Sequence, residues 1–457
     1  MTRVHSPWLH QLNRTRLAAK LTTNADTDVA IVGGGIAGIA TAYFVLRDTR
    51  KHVLLLEANK VAHGATGHNA GQITSYFERP FFDMVNEFGL EQAAEGQRLV
   101  ESAWLLLEQI KTEAHLKVPL QRFTGFAGCR TLPQVMIHLQ NNWLRLEGGL
   151  TQETILIAED ASFVSHIPKR FRFLYKLVPR KDIISLLETK DTQYTALLAY
   201  QKGCMNSALF CEELVGYLLA QFPKRFTIVE HTWIESVTLF ARKAVLQAGI
   251  YSVNCERVVL CTNGFENFTI DNQDGLPIDP KFHHLVSGWV GYMAGFLEEL
   301  DKPPTAISYF DSDSADVDDT YFYLTRRPFD LEQNTPANLV CIGGPETPLE
   351  GEEIYSATNP YPESVTKAIS GFIKRSYSNS PEEYSFLWHG LMGYTPNRIR
   401  VIGPEPRNPV LLYNLGCNGV GILPSLYGGK RISEVFANTR MPKSIFDPKD
   451  IPNTAKV

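Results

Sequence analysis

Apolar residues run together at Asp28-Val29-Ala30-Ile31-Val32, stop at glycines, continue without a breaker over 36–47, and close up again at Val53-Leu54-Leu55-Leu56-Glu57. A short apolar run ending in glycine predicts a buried parallel strand, and the breaker-free segment predicts a helix leading to a second strand. That order is one βαβ unit. Between 81 and about 114 the period changes: Val100, Ala103, Trp104, Leu107 and Ile110 step by three and four, predicting a long helix interrupted near Gly89. Runs at 226–229, 244–247 and 257–261 predict strands that rejoin the first sheet. A later excursion holds Tyr321-Phe322-Tyr323-Leu324 and Asn338-Leu339-Val340-Cys341-Ile342, which read as antiparallel strands across a loop.

At 457 residues the chain exceeds one hydrophobic core, so these segments sort into two interleaved domains. The first takes 26–80, 200–268 and 385–440; the second takes 81–199 and 269–384. An N-terminal arm covers 1–25 and a C-terminal tail 441–457. Charged residues at 20% against 44% hydrophobic, with 25 Phe and 18 Tyr, supply apolar area for a large core and a pocket within it. A formal net charge of -5 with no dense basic run argues against a nucleic-acid partner.

Seven cysteines are scattered without CxxC spacing, which argues against zinc or a disulfide framework and for reduced thiols in a cytoplasmic protein. No apolar run approaches the roughly 20 residues of a membrane helix. The arm carries Arg3, Arg14, Arg16 and Lys20 with no acid, a composition shared by organelle transit peptides, although an arm packed on the fold explains it more simply. Asp311, Asp313, Asp316, Asp318 and Asp319 lack the glycine and closing glutamate of a calcium loop and read as a solvated loop, so no metal is expected.

Gly33, Gly35 and Gly38 form G-x-G-x-x-G between the first strand and a helix that opens at Ile36 and Ala37. Glycine there permits the tight turn, lets the backbone approach a pyrophosphate, and brings helix onto strand, with the helix N-terminus facing the phosphates. About 20 residues on, Glu57 closes the second strand, where a carboxylate accepts hydrogen bonds from the ribose hydroxyls of an adenosine. The small residues of Gly64-Ala65-Thr66-Gly67-His68-Asn69-Ala70-Gly71-Gln72 follow directly and admit a second, larger cofactor face.

On these residues the chain resembles the FAD-dependent D-amino-acid oxidase/dehydrogenase superfamily, which includes enzymes oxidising sarcosine, glycine and glutamylputrescine. The family pattern has an acid ending the second strand, here Glu57 followed by Ala58. It then has a Gly-Ala-Ser-Gly-Arg-Asn-Ala-Gly-like loop, matched by Ala65, Thr66, Asn69, Ala70 and Gly71, with Gln72 next and His68 where arginine is usual. Ile234 matches the position whose backbone meets the adenine, and Thr262 and Gly264 belong to the family's strand-to-turn segment. Nearer the C-terminus, Trp388, Gly390 and Thr395-Pro396-Asn397 precede a turn containing Gly416, Gly419, Val420 and Gly421. Ile422 then opens a helix with Pro424 near its start, whose N-terminus can stabilise anionic reduced flavin. Asn397 stands where aspartate is common, and Ser6-Pro7-Trp8 resembles the arm of the glutamylputrescine branch.

The resemblance implies FAD as cofactor and an α/β fold: a glutathione-reductase-like FAD-binding βαβ domain with an antiparallel-sheet substrate domain. It implies hydride transfer from the carbon bearing a neutral amine to flavin N5, giving an imine that water hydrolyses. The partners are then a small-molecule amine or amino acid and oxygen or another electron acceptor. A substrate carboxylate would need a cation, for which Arg326, Arg327 and Arg398 are the candidates, with Tyr394 closing the pocket or donating to the carboxylate.

Thr66, His68, Ala70 and Gly71 also match the Thr-x-His-x-Ala-Gly setting in which some relatives attach FAD covalently through the histidine. The simpler reading has His68 replacing the family's arginine as a hydrogen-bond donor. The monomeric sarcosine oxidases attach flavin through a cysteine before the Thr-Pro turn, and none occurs between Cys341 and Cys417. No lysine lies over 339–342, where those oxidases carry the one that activates oxygen, which leans towards a dehydrogenase or a slow oxidase. Two rival readings remain: FAD-dependent oxidation of a 2-hydroxy acid, and a non-catalytic flavin-binding subunit of a larger complex.

Overall fold

The computed structural model describes residues 3–265, 267–278, 285–312, 321–330, 336–350, 354–379, 381–437, 439 and 441–449. Of the acidic stretch, Asp311 is among them; Asp313, Asp316, Asp318 and Asp319 lie outside the described residues. The βαβ unit forms where its pattern predicts it. Strand Ala25–Val32 buries its last four residues, helix Ile36–Asp48 follows, and strand Val53–Leu56 is buried throughout. The helix is apolar on all sides because it is covered on all sides, by its own sheet and by helices Ser207–Gln221 and Ile422–Phe436.

Nine strands make the first sheet, running Thr269–Asn272, Ser236–Leu239, Ala244–Ala248, Tyr251–Leu260, Ala25–Val32, Val53–Leu56 and Phe226–Val229. Asn408–Leu415 branches from Tyr251–Leu260 and carries Val401–Glu405. Its centre is parallel: Ala25–Val32 pairs with Val53–Leu56 and Tyr251–Leu260, and these pair with Phe226–Val229 and Asn408–Leu415. The C-terminal ends of these strands therefore share one rim, the rim at which open α/β sheets bind ligands.

The second sheet has ten strands, ordered Phe386–Tyr394, Ser287–Glu298, Pro336–Pro348, Tyr321–Asp330, Thr305–Phe310, Leu120–Cys129, Ala196–Met205, Thr154–Ala158 and Tyr175–Val178, with Gln72–Thr74 paired to Ala196–Met205. It is mixed rather than purely antiparallel, since Thr305–Phe310 runs parallel to Leu120–Cys129 and Thr154–Ala158 to Tyr175–Val178.

Several expected boundaries move. Gln72–Thr74 and Phe386–Tyr394, assigned to the first domain, pair within the second sheet, while Thr269–Asn272, assigned to the second, pairs with Ser236–Leu239 in the first. Strand pairing is a long-range property that local periodicity does not carry. Helix Leu90–Glu113, expected with the second domain, packs on helix Ile422–Phe436 and shares its core. The tail joins the same core through Ile445 and Phe446, with Ile445 filling the space that Gly96 leaves open. Among the described residues, no helix is long and apolar enough to cross a membrane.

The arm packs on the fold. Trp8 has no exposed surface; its indole Nε1 donates to Asn69 O, and its ring lies against Gly71, where a Cβ would collide with it. The arm's basic residues answer acids on the body: Arg14 and Arg16 pair with Glu212, and Arg16 also with Glu230 at 2.6 Å. Trp8→Ala is expected to cost about 3–5 kcal/mol of stability in urea denaturation, and a loss under about 1 kcal/mol would place the arm outside the core.

Candidate functional site

A cavity of about 500 Å³ lies beyond the rim of the parallel strands and continues between the two sheets. Its wall can be followed by contact: Gly35 adjoins Thr66, His68 adjoins Gly390, and Gly419 adjoins Glu78 and Tyr394. The predicted cofactor residues Gly33, Gly35, Ile36, Ala37, Glu57, Ala58, Ala65, Thr66, His68, Asn69, Ala70, Gln72, Ile234, Thr262, Gly390, Gly419, Val420, Gly421 and Ile422 all contribute to it. Gly38, Gly71, Gly264 and Gly416 do not line it but let backbone close up behind it. A Cβ on Gly38 would overlap Gly33 O, and one on Gly264 would come within 3.0 Å of the Met392 carbonyl carbon.

At one end, Glu57 Oε2 accepts from Gly34 N at 2.6 Å and Oε1 from Asn59 N at 2.8 Å. Burial pushes its pKa up while those two N–H groups pull it down, and each oxygen keeps a lone pair for a hydroxyl donor. Thr66 Oγ1 accepts from Ile36 N at 3.0 Å, clipping the small-residue loop to the helix start. Asn69 fixes the same loop, donating to Thr66 O and Ser207 Oγ and accepting from Gly71 N. His68 Nδ1 lies 2.9 Å from Gly64 O; a carbonyl only accepts, so Nδ1 carries the proton and Nε2 the lone pair. Burial lowers the pKa of this ring and keeps it neutral.

The C-terminal segments are drawn together by asparagines. Thr395 N and Oγ1 donate to Asn418 Oδ1 at 2.7 and 3.1 Å, and Cys417 N donates to Asn263 Oδ1 at 2.9 Å. Asn263 and Asn418 sit at φ 54° and 48°, a left-handed conformation that asparagine tolerates better than most residues. Asn397 Oδ1 accepts from Ile399 N at 3.1 Å, so a neutral amide serves as acceptor where aspartate is common. Arg400, which sequence reasoning missed, is buried and holds the glycine turn through Gly416 O at 3.1 Å and Asn414 O at 2.9 Å.

None of the three arginines expected to hold a carboxylate contributes to the wall. Arg326 is fully buried and forks onto Glu188 with two bonds of 2.6 Å, because strand alternation turns it away from Tyr321 and Tyr323. Arg327 shares the face of those tyrosines but lies farther along, stacked on Trp8 at 4.6 Å and donating to Gln11 Oε1 at 2.8 Å. Arg398 lies behind the wall, 3.4 Å from Glu78 O and 5.9 Å from the Tyr394 ring. Tyr394 is beside the chamber, its hydroxyl donating to Glu346 Oε2 at 3.2 Å.

Sequence reasoning also missed Tyr76, Glu78 and Glu346 in the wall, and Lys202 behind it. Tyr321 Oη donates to Glu78 Oε1 at 3.0 Å. Lys202 Nζ lies 3.3 Å from Ser308 Oγ and 4.8 Å from the Tyr200 ring, and burial pushes its pKa down to about 7 against the pull of Glu78. A visible signal existed: Glu78 stands in the aromatic stretch Tyr76-Phe77-Glu78, and Glu346 ends an apolar strand behind Gly343-Gly344-Pro345.

Burial, with the charge of Glu78 adding to it, pushes Glu346 up to about 7. The folded state thus holds this proton more tightly than the unfolded chain. The associated stability is present below the ordinary carboxylate range and is lost as pH rises through about 7. Glu346→Gln is therefore expected to raise the melting temperature relative to the parent more at pH 8 than at pH 4, and an equal difference at both would contradict the assignment.

Residues 28–435 match the family model described as DAO, FAD dependent oxidoreductase. Gamma-glutamylputrescine oxidoreductase of Escherichia coli (strain K12) is 32% identical over 85 residues, 18% of this chain and 20% of that protein. YhfW of Bacillus subtilis (strain 168), named as a Rieske 2Fe-2S iron-sulfur protein, is 37% identical over 73 residues, 16% of this chain and 14% of that protein. The matched stretches thus span a fifth or less of those curated relatives. Among solved structures, glycine oxidase from Geobacillus kaustophilus superimposes with a TM-score of 0.64 at 14% identity, covering 94% of this chain and 100% of that one. NikD, described as an unusual amino acid oxidase essential for nikkomycin biosynthesis, gives 0.66 at 12% identity, covering 93% and 98%. These likenesses concern the fold, whereas the family match spans nearly the whole chain: it belongs to the DAO family of FAD-dependent oxidoreductases, and FAD is its cofactor.

Proposed function

We propose that the protein oxidises a small amine or amino acid, with FAD lying along the cleft from Glu57 to the turn at Gly421. The observation that carries this reading is the continuity of the cleft: three separated glycine-bearing segments line it, and it runs on into a chamber walled by tyrosines and carboxylates. The names of gamma-glutamylputrescine oxidoreductase and glycine oxidase support the substrate class.

The residues fit the cofactor. Gly33 at φ 109° leaves no room for a Cβ, which would stand 2.6 Å from Cys261 O, so the backbone there is shaped for close approach. Gly35, Ile36 and Ala37 present the start of a helix to a pyrophosphate, and Glu57 accepts from the ribose. Ile234 and Thr262 would hold the adenosine half, and His68, Asn69, Ala70 and Gln72 the ring system. Gly419, Val420, Gly421 and Ile422 open a second helix on the cleft, and its N-terminus would stabilise negative charge on the reduced flavin. Bound flavin supplies the acceptance of a hydride from the carbon bearing the amine. The protein's share is to position that carbon, exclude water and take up the proton that a bound ammonium loses before the hydride leaves.

Anaerobic titration of the purified holoenzyme with amines, amino acids of both hands and 2-hydroxy acids tests the reading. Loss of the oxidised flavin's visible absorbance is expected with one amine class. Bleaching by hydroxy acids alone would replace the amine by an alcohol, and a normal flavin spectrum that nothing bleaches, with a stoichiometric co-purifying partner, would favour a non-catalytic subunit. Peroxide formed at the turnover rate would identify oxygen as acceptor.

Acid precipitation tests the use of His68. Flavin is expected in the supernatant, with His68 acting as a hydrogen-bonding partner on a loop already fixed by Thr66 and Asn69. A yellow pellet that becomes colourless in His68→Ala would instead assign a covalent bond through Nε2.

A further inference from the structure

Past the turn at Gly419 the cleft ends in a chamber whose walls are tyrosine rings and two carboxylates. Tyr321 and Tyr323 stand side by side, 5.7 Å between ring centroids, and Tyr76 completes the aromatic wall beside Tyr200 at 5.3 Å. One oxygen of each carboxylate accepts from a tyrosine: Glu78 Oε1 from Tyr321 at 3.0 Å and Glu346 Oε2 from Tyr394 at 3.2 Å. The other two, Glu78 Oε2 and Glu346 Oε1, have no hydrogen-bond donor among the described residues, and both side chains line the cavity. A partly buried carboxylate oxygen without a donor is unfavourable, and a second carboxylate nearby makes it more so.

The nearby cations do not resolve this. Lys202 Nζ stands behind the rings, directed at Ser308 Oγ and the face of Tyr200, and forms no ion pair with either acid. Arg326 and Arg327 are held elsewhere, by Glu188 and by Gln11 and Trp8. Arg398 donates to the backbone oxygen of Glu78.

We propose that this chamber is the seat of the substrate's ammonium group, and that the substrate is a small cationic amine without a carboxylate of its own. Its N–H donors reach Glu78 Oε2 and Glu346 Oε1, and its charge lies against the faces of Tyr321 and Tyr323. Charge-assisted N–H to carboxylate bonds are among the stronger hydrogen bonds, and ring faces attract cations once water is excluded. A substrate carboxylate in the same space would meet two acids and no free fork of an arginine, whereas an ammonium favours the ionised form of those acids that burial opposes. This inference rests on the amine-oxidising reading and narrows it, setting α-amino acids aside in favour of simple amines or diamines.

The test compares two probes of one shape and opposite charge on the flavin-loaded protein: tert-butylammonium, whose amine-bearing carbon has no hydrogen to lose, and pivalate. Binding is followed by calorimetry, so it registers whether or not the flavin spectrum moves. The ammonium is expected to bind saturably and pivalate not to bind. Glu78→Gln and Glu346→Gln, checked for flavin content, should each weaken the ammonium by about tenfold or more. Pivalate binding in place of the ammonium, no binding of the ammonium, or variants that bind the ammonium as tightly as the parent would overturn the proposal. The wild-type comparison alone decides the matter if a variant fails to fold. Failure of the broader reading looks different: tert-butylammonium binds, yet no oxidisable amine bleaches the flavin.

Discussion

The structure depends on backbone approaching backbone at the rim of the first sheet. Gly33 turns at φ 109° beside Cys261 O, and Gly38 packs so closely on Gly33 O that a single methyl group would separate helix from strand. A second helix is seated by the same device: Gly429 lies against the backbone of Ala40 and Thr41, and Gly428 against the Asn414 side chain. Asn414 Nδ2 then donates to Thr41 Oγ1 at 3.2 Å and Ser425 O at 3.1 Å, tying together the helix pair and strand Asn408–Leu415. Two helix N-termini far apart in sequence consequently open on one cleft.

The second sheet can reach that cleft because it borrows chain from the first. Gln72–Thr74 leaves the cofactor loop to pair with Ala196–Met205, and Phe386–Tyr394 pairs with Ser287–Glu298 before the chain returns to Val401–Glu405. His68 O accepts from Trp388 Nε1 at 3.2 Å across this junction, and Gln72 Nε2 donates to Thr325 Oγ1 at 3.1 Å. The arm closes the back: Trp8 wedges between Gly71 and Arg327, so an arginine on the chamber's own strand face is consumed in holding a tryptophan.

The glycine-rich lining of the cleft was legible because its pattern is local. Tight turns, helix starts and an acid at a strand end are fixed by residues within about 20 positions of one another, and glycine at such points has few other uses. The lining of the tyrosine-walled chamber was not. Arg326 and Arg327 looked equivalent, but a strand sends neighbours to opposite faces, and which face meets the cavity is decided by pairing with Thr305–Phe310 and Pro336–Pro348. The same pairing brings Glu78, from a loop before helix Phe81–Phe88, into a hydrogen bond with Tyr321, 243 positions away. No periodicity in either segment foretells that meeting.

The two halves also differ in what they do to stability. The glycine-lined cofactor cleft satisfies its polar backbone through Thr66, Glu57, Asn263 and Asn418. The chamber instead keeps two acids in a place where burial raises the proton affinity of both, and a lysine in a place where burial lowers its own. Folding alone gives no reason to retain such groups, since well-packed apolar residues of similar size are often no less stable. Polar groups that the fold leaves unpaired inside a cavity are matched when a ligand of the complementary charge arrives, and the energy withheld from folding is then available to binding. On the proposal of an ammonium seat, selectivity comes from two acids of which the fold pairs one oxygen each.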